Sequence, residues 1–434
     1  MKTYQTYNQQ QMSLIPQTFG DWLDPDHIAR FINDILDEID IYEIQKVYET
    51  ELRGYPPYHP RMMLKILIYG YCTGVRSSRK LAQKCEDEVA FRYLTGNRFP
   101  KFRAIANFRV RHIAAFQKIF LEVLAICQDA EIVQVGHVSL DGTKIKANAS
   151  KHKAMSYGRM QSEEDRLIQE IAEMNAEAEK VDQAEDKLYG KNKRGDELPK
   201  ALRGRENRLA AIRKAKKEIE KRAARERKKK GKDNDDNQPL KPQEKDQYNF
   251  TDPESRIMPS SEDKKCFIQA YNAQLAVDSK NQIIVAKALC DQANDKQQLQ
   301  QVVPLIEANL HKKPDGLWAD AGYFSEDNIN YLREKAKIAP YIPPDRQKHG
   351  TLFKSPRGPM PKNMTIAEAM RRYLNTNRGR MQYALRKITV EPVFGQIKNC
   401  MGFRQFSLRG QGEWDLVCLC HNLLKLYRFK ISES

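Results

Sequence analysis

Apolar residues recur at helical spacing early in the chain, where Ala29, Phe31, Ile32, Ile35, Leu36 and Ile39 share one face. Pro60 opens another helix carrying Met62, Met63, Leu64, Ile66, Leu67 and Ile68, and Gly74 stops it. Ser77 and Ser78 can cap the next, which runs from Arg79 towards Tyr93 and ends before Gly96. A long helix over about 105–127 completes a segment, residues 20 to 130, that is expected to be all-helical. From His137 the period becomes that of strands. Three strands, about 136–141, 267–277 and 282–290, are expected to form a meander, with Tyr271, Ala273, Leu275 and Val277 alternating against Asn272, Gln274 and Ala276. A helix over about 295–310 follows, then a strand ending on Asp320 and another near 338–342. A helix from about Trp414 to Tyr427 places Leu416, Leu419, Cys420, Leu423 and Leu424 on one face as core.

Between the first two strands the pattern is polar. Residues 161–230 read as two long helices around Tyr189-Gly190, with thin apolar stripes of Ile168, Ile171 and Met174, then Leu202, Leu209, Ile212 and Ile219. An antiparallel hairpin fits this pattern. For its end, where 228–247 is nearly all polar, a disordered insertion is the competing reading. Three strands, a helix and a strand, in that order, are the order of a ribonuclease-H-like α/β domain, a mixed sheet flanked by helices. The expected organisation is an all-helical N-terminal domain over 1–130, the α/β domain over 131–160 and 261–434, and the inserted helical hairpin over 161–260.

The net charge of +17 sharpens the picture because it is unevenly placed. Ser162 to Gly190 holds ten acidic and three basic residues, whereas Lys191 to Lys232 holds nineteen basic and six acidic. A solvated helix face explains such runs, but this density of positive charge also attracts polyanions, and DNA is the favoured partner. Arg76, Arg79, Lys80, Arg92, Arg98, Lys101, Arg103, Arg109 and Arg111 make the helix–turn–helix of the N-terminal segment a candidate DNA reader; a helical bundle with a basic face is the plainer alternative. No apolar run is long enough to span a bilayer, and Met1-Lys2-Thr3-Tyr4-Gln5 lacks the apolar core of a secretory signal, so a cytoplasmic protein is expected. None of the eight cysteines forms a C-x-x-C pair, and buried free thiols are expected.

Three acids stand in distinctive settings. Asp141 closes the apolar run of Ser139-Leu140-Asp141-Gly142-Thr143-Lys144, and Asp320 closes that of Leu317-Trp318-Ala319-Asp320-Ala321-Gly322-Tyr323. Both read as strands that deliver a carboxylate at the C-terminal tip. Glu391, before Pro392, reads as the start of a helix. Taken singly, each is more often a turn, cap or dipole partner. Together they suit hard divalent cations, with Mg²⁺ expected, Mn²⁺ as a substitute, and two ions about 3.5–4 Å apart serving the attacking and leaving oxygens. The cations nearby, Lys144 and Lys146 after the first acid and Arg386, Lys387, Lys398, Arg404 and Arg409 around the third, suit phosphate, and Tyr383 adds a hydroxyl.

With these residues in view, Ser139-Leu140-Asp141-Gly142-Thr143-Lys144, Ala319-Asp320-Ala321-Gly322-Tyr323 and Glu391-Pro392-Val393-Phe394-Gly395-Gln396-Ile397-Lys398 resemble the motifs of bacterial insertion-sequence transposases of the DDE class. Tyr58-His59-Pro60-Arg61-Met62-Met63-Leu64-Lys65 and Gly74-Val75-Arg76-Ser77-Ser78-Arg79-Lys80-Leu81 resemble the same family's helical N-terminal domain. The resemblance implies cleavage at the ends of a DNA element, then attack of the freed 3′-hydroxyl on target DNA, by a dimer or larger assembly on DNA. It also implies that Asp141, Asp320 and Glu391 are the metal-binding catalytic triad. A Tyr, Arg, Glu, Lys signature is matched by Tyr383, Arg386, Glu391 and Lys398, with one residue too many between Arg386 and Glu391; Lys387 restores the spacing, so either cation fits the role. A non-catalytic DNA-binding regulator and a metal-dependent nuclease of the same fold are the alternatives.

Overall fold

The computed structural model describes residues 17–49, 56–189, 200–229, 242–260, 265–292, 294–345, 355–361, 363–410 and 412–433. Along the chain run α1 (Ile28–Glu38), α2 (Tyr42–Glu49), α3 (Pro60–Cys72), α4 (Ser78–Asp87), α5 (Val89–Thr95), α6 (Phe102–Arg111), α7 (Ala115–Asp129) and β1 (His137–Lys146). Next come β2 (Ala154–Ser156), α8 (Tyr157–Tyr189), α9 (Lys200–Lys229), β3 (Gln247–Asn249), β4 (Arg256–Pro259), β5 (Phe267–Asp278) and β6 (Ile284–Cys290). The chain ends with α10 (Leu299–Leu310), β7 (Gly316–Ala319), α11 (Glu326–Asn330), β8 (Ala339–Tyr341), α12 (Ile366–Leu374), α13 (Asn377–Gly395) and α14 (Glu413–Glu433). Two compact units result, one of Met1–Lys146 with Tyr271–Ser434, the other of Ala147–Ala270.

In the first unit the sheet runs β6-β5-β1-β7-β8, with β6 and β5 antiparallel and β1, β7 and β8 parallel. The expected meander of the first three strands is present, and β1 lies beside β7, the strand after α10. The alternation in β5 suggested one solvated face, but Tyr271 through Asp278 are buried on both. Asn272 and Gln274 are therefore interior polar groups that need partners. Helix α14 packs on α7, α3 and β6, so the helical N-terminal segment and the sheet share one core. Asn422 of α14 accepts the N–H of Ile284 and donates to its carbonyl, pairing the outer edge of β6 as a strand would.

Several expected boundaries move. The helix predicted from Arg79 to Tyr93 is two helices, broken at extended Glu88. The long helix expected over 105–127 is also two, because His112 leaves helical geometry and bonds the Tyr48 hydroxyl. That break turns Ile105 and Phe108 towards α4, while Phe116, Ile119 and Phe120 on α7 bury separately. Six cysteines are buried as expected, but Cys266 and Cys400 are exposed.

The second unit is built on α8 and α9, the expected hairpin; its connection at 190–199 lies outside the described residues. Its core is Met160, Leu167, Ile212, Ala215 and Ile219, closed by Tyr157 and Tyr248. Leu167 is buried where Ile168 was expected, a rotation of one position that leaves Ile168 exposed. The acidic and basic arms pair through Arg205–Glu170, Arg208–Glu163, Arg213–Glu164 and Lys216–Glu164. Strand β4 pairs antiparallel with Phe267–Ala270, the opening residues of β5.

Candidate active site

Strands β1 and β7 fix the first two acids. Their register ends at Leu140↔Ala319, so Asp141 and Asp320 are the next residues on neighbouring parallel strands. Asp320 sits at a strand end as expected and accepts the Gly322 N–H at 2.8 Å. Asp141 does not: β1 continues through it to Lys146. Gly142, Thr143 and Lys144 stay extended because Ile145 is buried and Lys146 exchanges backbone bonds with Arg404 and Phe406.

Glu391 does not open a helix. It lies inside α13, and Pro392 after it is interior too. A proline there removes the N–H that would satisfy the carbonyl four residues back. The carbonyl of Ile388 instead accepts the Gln282 side-chain amide at 2.7 Å, a contact from 106 residues away that local sequence cannot signal. Residues Gln396–Cys400 then form a π-turn, so the seven-residue spacing from Glu391 to Lys398 does not amount to two regular α-turns along one face. The Lys398 Nζ donates to Thr143 Oγ1 at 2.5 Å, two residues beyond Asp141.

Arg386, 9 % exposed, links the acids. Its Nη1 donates to Asp141 at 3.0 Å and its Nη2 approaches Glu391 at 3.5 Å. Its guanidinium lies over the Tyr383 ring at 5.8 Å. Lys387 is exposed, so of the two candidate cations it is Arg386 that faces the acids. Lys146, Arg404 and Arg409 are also exposed, and Arg404 bonds Asn399.

Burial pushes the Asp141 carboxyl up to about 6, and Asp320 and Asp295 add to the effect; Arg386 and the Gly142 N–H oppose it. Burial works against the Arg386 charge, yet Asp141, Tyr383, Asp320 and Glu391 together hold it above its ordinary value. Burial raises the Tyr383 hydroxyl.

Sequence reasoning missed Asp295, in the loop before α10. It accepts from Asn272 at 2.7 Å and from Gln274 at 2.9 Å, and Lys144 stands 3.9 Å away. Tyr323 completes this floor by donating to Gln274. The available signal was the pair of amides, Asn272 and Gln274, spaced to share one face of an apolar strand. Gly322 lets two carboxylates approach: a Cβ there would meet Asp320 Oδ1 at 2.9 Å and Asp295 Oδ2 at 3.6 Å.

Among the described residues, no three His, Cys, Asp or Glu side chains converge closely enough to hold a metal ion. Arg386 stands between Asp141 and Glu391, paired with both, and the Glu391 side chain is 53 % exposed. The donor chemistry nevertheless fits a hard cation, since the groups around Arg386 are carboxylate oxygens already gathered about positive charge. No described helix is long and apolar enough to cross a membrane.

Comparison with known families gives two matches. Residues 17–111 match the family described as Transposase domain (DUF772), and residues 250–423 match the one described as Transposase DDE domain. No curated protein and no solved structure matches the chain.

Proposed function

We propose a specific reaction for this chain, which belongs to the insertion-sequence DDE transposases and is thus a DNA-cleaving enzyme: hydrolysis at the element's terminal inverted repeats, then strand transfer of the freed 3′-hydroxyl to target DNA. The observation that carries this reading is the pairing of Asp141 and Asp320 on adjacent strands, with Arg386 joining Asp141 to Glu391. The strand order, with β1 between β5 and β7, supports a ribonuclease-H-like core for that chemistry.

DDE transposase domains depend on divalent metal, typically Mg²⁺. Asp141, Asp320 and Glu391 would hold it, and bound metal supplies charge stabilisation to the phosphate and to the oxygens that attack and leave. The chain's own groups do the rest. Arg386 keeps Asp141 charged against burial and orients it. Lys398, fixed on Thr143, and Lys144, beside Asp295, present ammonium groups to backbone phosphate near Asp141. Lys146, Arg404 and Arg409, being exposed, extend the contact along DNA, and the helical N-terminal segment carries the sequence reader. Pairing of the two element ends requires a dimer or larger assembly on DNA.

The test uses purified protein, Mg²⁺ and labelled terminal repeats. Asp141→Asn, Asp320→Asn and Glu391→Gln should each abolish cleavage while retaining the wild-type melting profile and repeat binding. Wild-type cleavage by any of the three would sink the assignment of that acid. Joining of a precleaved end to a plasmid separates a transposase from a nuclease.

A further inference from the structure

Arg109 on α6 is a buried guanidinium, 6 % exposed, in the helical segment. Its Nη1 donates to the Tyr71 hydroxyl at 3.1 Å and to the carbonyl of Arg76 at 2.8 Å, and its Nη2 reaches Ser78 Oγ at 3.4 Å. All three acceptors are neutral, and Nε has none among the described residues. The acid nearest in this network, Glu413, is occupied by the Tyr71 hydroxyl and by the N–H groups of Ser407 and Leu408. It reaches Arg109 only through Tyr71. A buried cation with no directly bonded anion is costly, which makes its surroundings informative.

Those surroundings form an open cavity of about 460 Å³, lined by Arg109, Arg76, Ser77, Ser78, Lys80 and Ser407 among others. Helix α4 begins there. Its N-cap, Ser77, makes no side-chain capping bond, and its first turn has no acid. The first intrahelical bond goes from Leu81 N–H to the Ser77 carbonyl, so the N–H groups of Ser78, Arg79 and Lys80 face the helix end, where the dipole favours an anion. Arg76 adds a fixed charge at the rim, its guanidinium held by the carbonyls of Gly402 and Gln405 over the Phe403 ring.

A buried guanidinium, a helix N-terminus, two serine hydroxyls and a flexible lysine around one opening complement a tetrahedral oxyanion. We propose that this cavity binds a phosphate group, and that in the working protein the group belongs to the backbone of bound DNA. The second half rests on the DNA-cleaving reading above; the first does not.

Two measurements on the full chain test it. Thermal melts compare inorganic phosphate with chloride at equal ionic strength, for the wild type, Lys80→Ala and Ser77→Glu. Phosphate should raise the wild-type melting temperature more than chloride does. Ser77→Glu should melt higher without phosphate and no longer respond to it, because a tethered carboxylate then answers Arg109. Fluorescence anisotropy with a terminal-repeat duplex supplies the second measurement. Both variants should bind about tenfold more weakly, and Lys80→Ala should reduce the slope of log K against log salt by about 0.9. Equal responses to phosphate and chloride would overturn the pocket. A phosphate response lost in Ser77→Glu, with DNA affinity and salt slope unchanged, would overturn the DNA assignment and leave free phosphate as the ligand. A wild type that neither binds nor cleaves the repeats would overturn the DNA assignment through its parent reading, while the melts still decide the pocket.

Discussion

Gly142→Ala should be far more damaging than an alanine in a strand normally is. The backbone there has no left-handed torsion to protect; the constraint is space. A Cβ would lie 2.2 Å from Gln274 Nε2 and 3.1 Å from Asn272 Oδ1. The end of a long side chain usually yields cheaply, but Gln274 is fully buried and held on three sides. Its amide donates to Asn272 at 3.0 Å and to Asp295 at 2.9 Å, and its carbonyl accepts from Tyr323. Moving it leaves two or more buried polar groups unsatisfied, at about 1–3 kcal/mol each, against a gain of about 0.4–1 kcal/mol from stiffening the unfolded chain. A net loss of about 2–4 kcal/mol follows. Urea unfolding followed by tryptophan fluorescence can read it, because Trp318 and Trp414 are both buried in this unit. The sharper test is the cycle with Gln274→Ala. If the clash is the mechanism, the double variant should be more stable than the sum of the single losses by more than about 1 kcal/mol. A neutral Gly142→Ala, or strict additivity, would refute the reasoning.

Three further outcomes are expected. Arg386→Gln should reduce cleavage of terminal repeats at pH 7 by at least about tenfold, because Asp141 loses its compensating charge, whereas Lys387→Gln, an exposed side chain, should stay within about twofold; initial rates on the same substrate check both. Pro392→Ala should raise stability by about 1 kcal/mol or more, by restoring a helical N–H to the Ile388 carbonyl, and Gln282→Ala should then cost less than it does beside the proline, as urea midpoints will show. Burial lowers the ring of His421 to about 4, so its neutral form favours the folded state, and stability is full above about pH 6.5 and falls as pH drops towards 4. Between pH 7.5 and 4.5 that amounts to about 2–3 kcal/mol, which His421→Gln should remove from the wild-type difference in unfolding free energy.

Legibility in the sequence followed locality. Strands β1 and β7 were readable because a short apolar run ending on an acid has one simple explanation, and their adjacency followed from element order. The continuation of β1 past Asp141 was not, since what keeps Gly142-Thr143-Lys144 extended is burial of Ile145 and the backbone bonds of Lys146 to Arg404 and Phe406, partners more than 250 residues away. Pro392 signalled a helix start by the usual rule, and a glutamine from the β5–β6 turn overrode it. The breaks at Glu88 and His112 carry neither glycine nor proline, so their cause is tertiary. Asn272 and Gln274 followed the solvent-facing positions of a half-buried strand, although their true role, holding Asp295 and Tyr323 beneath the acids, needed the second layer of core to exist.

The two buried arginines show why charge in this chain must be judged by partners and not by count. Arg386 and Arg109 are almost equally enclosed, and both are reached by a tyrosine, as a ring under one and a hydroxyl on the other. Arg386 is answered by two carboxylates, so its surroundings are complementary to positive charge. Among the described residues Arg109 is answered by a hydroxyl pair and a carbonyl, with a helix N-terminus opening on the same cavity, so its surroundings are complementary to negative charge. An enzyme acting on phosphodiesters with divalent metal needs both fields, the first for the cation and the second for the strand, and it needs them apart so that neither cancels the other. Here they come from separate elements, β1, the end of β7 and α13 for the first and α4 with α6 for the second. A net charge of +17 could not distinguish them; the distances to oxygen do.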